Sequence, residues 1–169
     1  MGAVPDTGQN LGVDACLVGI PGQGRGQKAS AAGDIPGWQE AIDKAKSNYG
    51  YGDPNGRDNF LGRCHSVACQ FGGSGRAANL SPCIQKGANT GADSMMTFED
   101  ATVGALVSGQ AVMYDVTLTY ANATTNIPYK YSMWALGQYV STGKIGYVDI
   151  ATVQNAGQAR NGMPVNLGK

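Results

Sequence analysis

The chain's single histidine lies in its densest run of chemically capable side chains. Around His65 stand Arg63, Cys64, Ser66, Cys69 and Gln70, then Gly72-Gly73-Ser74-Gly75, then Asn79 and Asn89. One imidazole forms neither a histidine pair nor a His-rich metal centre, so any histidine chemistry near neutral pH rests on this ring. The surroundings suit hydrolysis of a phosphodiester. That reaction needs a base to activate water, positive charge at the phosphoryl oxygens, and stabilisation of the leaving oxygen. Imidazole titrates in the working range. Arg63, two residues before His65 on an extended segment, shares its face and can fork onto a phosphate. The downstream amide oxygens suit a hard cation such as Mg2+, and a site with a single neutral Asn ligand leaves the ion most of its waters and charge.

These residues need elements to hold them. Phe60 to Ala68 reads as extended, with a sharp turn at Gly72 to Gly75, and Ser81 to Gly91 as loop or short turn. Thr97 is placed to cap a helix running to about Val107, with Phe98, Ala101, Ala105 and Leu106 inward and Gly109 ending it. Ala111 to Tyr120 alternates, with Val112, Tyr114, Val116, Leu118 and Tyr120 on one face, and Tyr129 to Leu136 reads as its hairpin partner. Upstream, Val13 to Ile20 reads as a short strand carrying Cys16. Ile35 to Lys46 reads as a helix capped by Asp34, with Pro36 in its first turn. Ile145 to Val153 is a further strand or a helix start. Residues 1–34 otherwise look irregular, and Gly22-Gln23-Gly24-Arg25-Gly26 is a poor phosphate-loop match that reads as a plain loop.

Composition bounds the class. With 169 residues, 42% apolar and only 14% charged, the chain has material for a core and is not a charge-rich disordered segment. A single domain over 1–169 is expected. Glycine at 26 positions predicts many turns and irregular connections. No apolar run approaches the ~18 residues of a membrane span, so no membrane partner is expected. Met1 to Pro5 lacks the charged and apolar regions of a secretion signal, which equally fits a mature domain whose leader has been removed. Twelve basic and twelve acidic residues cancel. A polyanion-binding surface would therefore be a local patch, aided by a bound cation. Four cysteines, Cys16, Cys64, Cys69 and Cys83, suggest two disulfides and an oxidising, extracellular setting. Three pairings are open, with zinc and free buried thiols as the alternatives.

The stretch from Arg63 to Asn89 resembles the core of the DNA/RNA non-specific endonucleases of the ββα-metal, or His-Me finger, type. Their Arg-x-His, apolar-Ala-x-Gln, Gly-Gly-Ser-Gly, Asn-Leu-x-Pro and later Asn and Glu are matched by Arg63, His65, Ala68, Gln70, Gly72 to Gly75, Asn79, Leu80, Pro82, Asn89 and Glu99. With the following helix and hairpin, the likeness spans about 58–136. It implies an α+β fold with a ββα-metal core, an antiparallel sheet and flanking helices.

The resemblance also implies roles. His65 would be the general base, Arg63 a phosphate contact, and Asn89 the direct ligand of Mg2+, with Mn2+ as an alternative. Glu99 would orient water on the hydrated ion; Asp93 and Asp100 are alternates, because the Asn89 to Glu99 spacing is longer than the family's. Asn79 would fix the loop or the His65 ring, and Gln70 would support the site. A further phosphate-binding arginine is expected, with Arg57 the first candidate and Arg25 the second. The family's Asp-Arg-Gly-His opening stands here as Gly62-Arg63-Cys64-His65, a departure that bears on strand packing. The activity implied is Mg2+-dependent hydrolysis of DNA, and of RNA, with little sequence preference, by a secreted nuclease or by a toxin domain partnered by an immunity protein. The rival expectations are a catalytically silent, disulfide-held binding module and a zinc-stabilised structural domain.

Overall fold

The computed structural model describes residues 9–19, 26–29 and 34–169. Arg25, the end of the first strand at Ile20 and most of the irregular N-terminal segment lie outside them.

Four strands form the main sheet: β1 (Gly12–Leu17), β4 (Gln110–Thr119), β5 (Lys130–Tyr139) and β6 (Ile145–Gln154), in the order β1-β4-β5-β6 and antiparallel throughout. Two-residue periodicity decides which face is covered. Val112, Tyr114, Val116 and Leu118 of β4 and Tyr131, Met133 and Ala135 of β5 are buried together, while Met113 and Trp134 stay exposed. Helix α2 (Met95–Val107) covers the buried face through Phe98, Thr102, Ala105 and Leu106. Ala101, expected inward, is exposed.

A two-stranded ribbon, β2 (Leu61–His65) and β3 (Leu80–Ile84), precedes α2. β3 falls where a loop was expected. All five of its residues are buried, because the strand lies between two cores: Cys83 belongs to the sheet–α2 core, Leu80 and Ile84 to a second core under α1 (Trp38–Ser47). A strand buried on both faces shows no alternation, and Pro82 argues against a ladder. The ribbon tolerates Pro82 because its nitrogen points away from β2. At the same parity, Ile84 N donates outward to Asn155 Oδ1 at 2.9 Å, and Asn155 Nδ2 returns to Pro82 O at 3.1 Å and Pro128 O at 2.7 Å. Asn155, completely buried, thus closes the outer edge of β3. A small ribbon of β7 (Ala156–Gln158) and β8 (Pro164–Asn166) follows it.

Both helices start elsewhere than their expected caps. In α1, Asp34, Ile35 and Pro36 lie before the helix, and Gly37 holds the N-cap position at φ 79°. A Cβ there would collide with the Asn126 carbonyl. In α2, Ser94 precedes the first turn, and Thr97 sits inside it with its hydroxyl donating to Gly91 O and Ala92 O. The first α2 amides are satisfied by backbone instead: Met95 N donates to Ala88 O at 2.9 Å and Met96 N to Asn89 O at 3.2 Å. Ser94 holds the N-cap position but makes no side-chain cap bond, its hydroxyl donating to Gly91 O at 2.9 Å instead.

Of the two disulfides expected, one forms. The ribbon register sets Gly62 opposite Cys83 and Cys64 opposite Ser81. Cys64 and Cys83 are therefore diagonal neighbours on one face, and they are bonded, with Cα atoms 5.9 Å apart. Cys16, exposed on β1, and Cys69, half-buried, are free. The zinc alternative fails: two of its thiolates are consumed by the disulfide, and no group of three His, Cys, Asp or Glu suited to a metal occurs among the described residues.

Candidate functional site

His65 ends β2, where the chain leaves the ribbon for the long loop of residues 66–79. Two short 3-10 turns, Cys69–Phe71 and Ala77–Asn79, shape that loop. Asn79 clamps it: Oδ1 accepts from Val67 N at 2.9 Å, and Nδ2 donates to Val67 O at 3.0 Å and Ser74 O at 2.7 Å. Of the two tasks expected of Asn79, the structure gives it the loop. The Gly72 to Gly75 run does two jobs. Gly72 takes φ 85°. Gly73 and Gly75 permit backbone crossings, since a Cβ on either would strike the carbonyl of Val67 or Lys28. One of these crossings brings in segment 26–29, fastened by Gly26 N to Cys69 O at 2.8 Å and Gln27 N to Gly73 O at 3.1 Å.

That segment orients the imidazole. The ring bonds the Gln27 backbone, and Nε2 is buried with no partner among the described residues. The backbone bond is therefore made by Nδ1–H, which leaves the Nε2 lone pair free. Burial is the main influence on the ring and holds its pKa below the ordinary 6.5. The Gln27 bond opposes that shift, and the charge of Arg63 adds to it. The outcome is a neutral, acceptor-ready imidazole at physiological pH.

A hollow of about 300 Å³ brings His65 together with Gln70, Asn89, Glu99 and Asp100. Asn89 enters from the turn between β3 and α2, where its N donates to Ile84 O at 3.2 Å and its O accepts from Met96 N. Its Nδ2 donates to Gln85 Oε1 at 3.1 Å, which leaves Oδ1 as the outward atom. Glu99 and Asp100 come from the second turn of α2. Burial first, and then the neighbouring charge of Asp100, push the Glu99 carboxyl up from 4.5 to about 8. Behind Glu99, burial and the Glu99 charge drive the Tyr114 hydroxyl well above its ordinary range.

Not every expected residue arrives. Asp93 lines a different hollow, with Thr97 and Asp149. Arg57 is not among the residues lining the His65 hollow. Its side chain is 92% exposed and lies 3.8 Å from Asp53; the Asp53–Asn59 loop closes on that residue, with Gly56 N and Asp58 N donating to Asp53 O and Arg57 N to the Asp53 carboxylate. Arg63 is exposed on β2 and reaches the site through its charge on His65. Cys69, expected in a disulfide, lines this hollow as a free thiol, and Gln85 and Met96, which the motif does not include, also belong to this neighbourhood. A larger hollow of about 460 Å³ along β1 and β4 holds Asp14 and Asp115 but no imidazole, so the chemistry points to the smaller one.

The donor set fits a hard cation. Asn89, Glu99, Asp100 and His65 bring an amide, two carboxyls and an imidazole to the hollow, and burial with the Asp100 charge raises the Glu99 pKa. Too few anionic ligands converge for a closed protein cage, which matches an ion that keeps most of its water.

The family model described as DNA/RNA non-specific endonuclease matches residues 22–136. The fold is similar to that of NucA from Streptococcus agalactiae in its crystal structure with magnesium ion bound: TM-score 0.61 at 13% identity, over 98% of this chain and 76% of that one. The structure of the same protein with no metal bound gives 0.57 at 13% identity, over 98% and 77%. No curated relative matches by sequence.

Proposed function

The chain belongs to the DNA/RNA non-specific endonuclease family, and from that premise we propose that it is a metal-dependent endonuclease cutting DNA, and RNA, with little sequence preference. The observation that carries the reading is that His65, whose buried Nε2 has no partner among the described residues, lines one hollow with Asn89 and Glu99. We read β2, β3 and α2 as the ββα-metal core, within one nuclease domain. Asn89 Oδ1, with Glu99 acting through water, would hold a divalent cation, Mg2+ or Mn2+. When bound, that cation supplies positive charge at the phosphoryl oxygens and the departing oxygen.

The chain's own residues do the rest. Gln27 fixes the His65 tautomer, so that Nε2 takes a proton from water. The resulting hydroxide attacks phosphorus in line; the bond from phosphorus to the 3′ oxygen breaks, that oxygen takes a proton from solvent to leave as a 3′ hydroxyl, and the other fragment keeps a 5′ phosphate. Arg63 binds a phosphate beside the base, and Gln70 lines the floor. The Cys64–Cys83 bond supports a secreted location, since disulfides persist in oxidising compartments.

Supercoiled plasmid, single-stranded DNA and RNA, each with and without Mg2+, test the reading. His65→Ala is expected to lower cleavage by about 10²-fold or more. Near wild-type cutting by that variant would overturn the assignment of the base.

A further inference from the structure

The family's Asp-Arg-Gly-His opening is Gly62-Arg63-Cys64-His65 in this chain, and both changed positions have a counterpart across the ribbon. Cys64 is bonded to Cys83. At position 62, a Cβ would fall well inside 3.0 Å of Gln85 Oε1 and 3.2 Å from Cys83 Sγ. The space a side chain at 62 would enter is therefore already filled by the Gln85 carboxamide. Gln85 Oε1 in turn accepts from Asn89 Nδ2 at 3.1 Å.

We propose that Gln85, just beyond β3, is the positioning residue for Asn89: its carboxamide lies against Gly62 and holds the Asn89 NH2, so that the amide oxygen is left for the cation. The inference rests on the reading that Asn89 binds a cation. An amide can turn either its oxygen or its NH2 to a neighbour, and only the oxygen suits a cation. An acceptor on the NH2 side fixes that choice. Gln85 can serve because its own backbone is anchored at both ends: N donates to Phe60 O at 2.8 Å, and O accepts from Thr90 N and Thr90 Oγ1, each at 2.9 Å. Residues that orient metal ligands in this way are commonly worth about 10- to 100-fold in metal affinity.

The test uses the full chain without nucleic acid and has two readouts. The first is Mn2+ affinity by electron paramagnetic resonance. The second is hydrogen-exchange protection of the Asn89 side-chain amide, by NMR in cation-free protein. Gln85→Met keeps the volume but removes the acceptor, and should weaken Mn2+ binding about 10- to 100-fold and abolish the protection. Gln85→Glu, which can only accept, should restore both. Gly62→Ala, which drives a methyl group into the carboxamide, should reproduce the loss with Gln85 intact, and adding Gln85→Met to it should cost little more. Wild-type Mn2+ affinity in Gln85→Met would overturn the inference and leave the cation reading standing. A wild-type protein that binds no Mn2+ would overturn both. An unprotected Asn89 amide in the wild type would overturn the inference even if the variants failed to fold.

Discussion

The residue that most constrains the site is Glu99. Its carboxyl is buried beside Asp100 and titrates near pH 8 in the cation-free protein, so at neutral pH it is largely neutral. A carboxyl whose folded pKa lies above its ordinary 4.5 contributes stability at low pH that is lost as pH rises toward about 8. His65 acts in the opposite direction: its lowered pKa contributes stability above the ordinary histidine range, and this is lost as pH falls. Comparison with Glu99→Gln separates the two. In chelator, the melting temperature of the wild type should drop relative to Glu99→Gln as pH rises from about 5 to about 8, and Mg2+ should narrow the gap by favouring the ionised carboxyl. A difference that stays constant over this range would show that Glu99 titrates normally.

At the scale of elements, the ribbon of β2 and β3 is the scaffold of the site, and its disulfide crosses a sequence separation of 19 residues. Closing a loop of that length is worth about 3 kcal/mol. The Cys64→Ser, Cys83→Ser double variant should lose about that much in urea unfolding, and an unchanged midpoint would show that the bond constrains nothing. The elements also differ in how well the sequence announces them. β4 is legible because one face packs and the other is wet. β3 is not, because both its faces are buried and it contains Pro82. The start of α2 is blurred for another reason, since its first amides bond the carbonyls of Ala88 and Asn89, which no residue type encodes. Within the site, the motif singled out His65, Asn89 and Glu99, which the fold gathers around one hollow. Asn155 left no trace, because its partners Ile84 and Pro82 lie 71 and 73 residues away. Arg57 lies away from that hollow, in an i,i+4 contact with Asp53 on its own loop.

For the whole molecule, twelve positive and twelve negative side chains cancel, so long-range attraction to a polyanion is weak. On the proposed function, binding would come from a few cations close to the cut, Arg63 first among them. The logarithm of kcat/KM against the logarithm of salt concentration should therefore fall gently, with a slope magnitude of about 3 or less, and Arg63→Ala should reduce that magnitude by about 1. A steep slope, unaffected by Arg63→Ala, would place the main phosphate contacts elsewhere. The same cancellation leaves the site dependent on precise placement rather than on field strength, which is why the loop of residues 66–79 is held at so many points.

The family match ends at residue 136, within β5, but the architecture does not. β6 covers the remaining edge of β5, and Asn155 supplies the amide that finishes β3. A polypeptide trimmed to the matched span would keep every residue assigned to the chemistry. It would also carry a bare β5 ready to join another chain, and orphaned polar groups along β3, the strand paired with β2 and His65. The last thirty-odd residues thus finish two strands, β3 and β5, while lining none of the His65 hollow themselves.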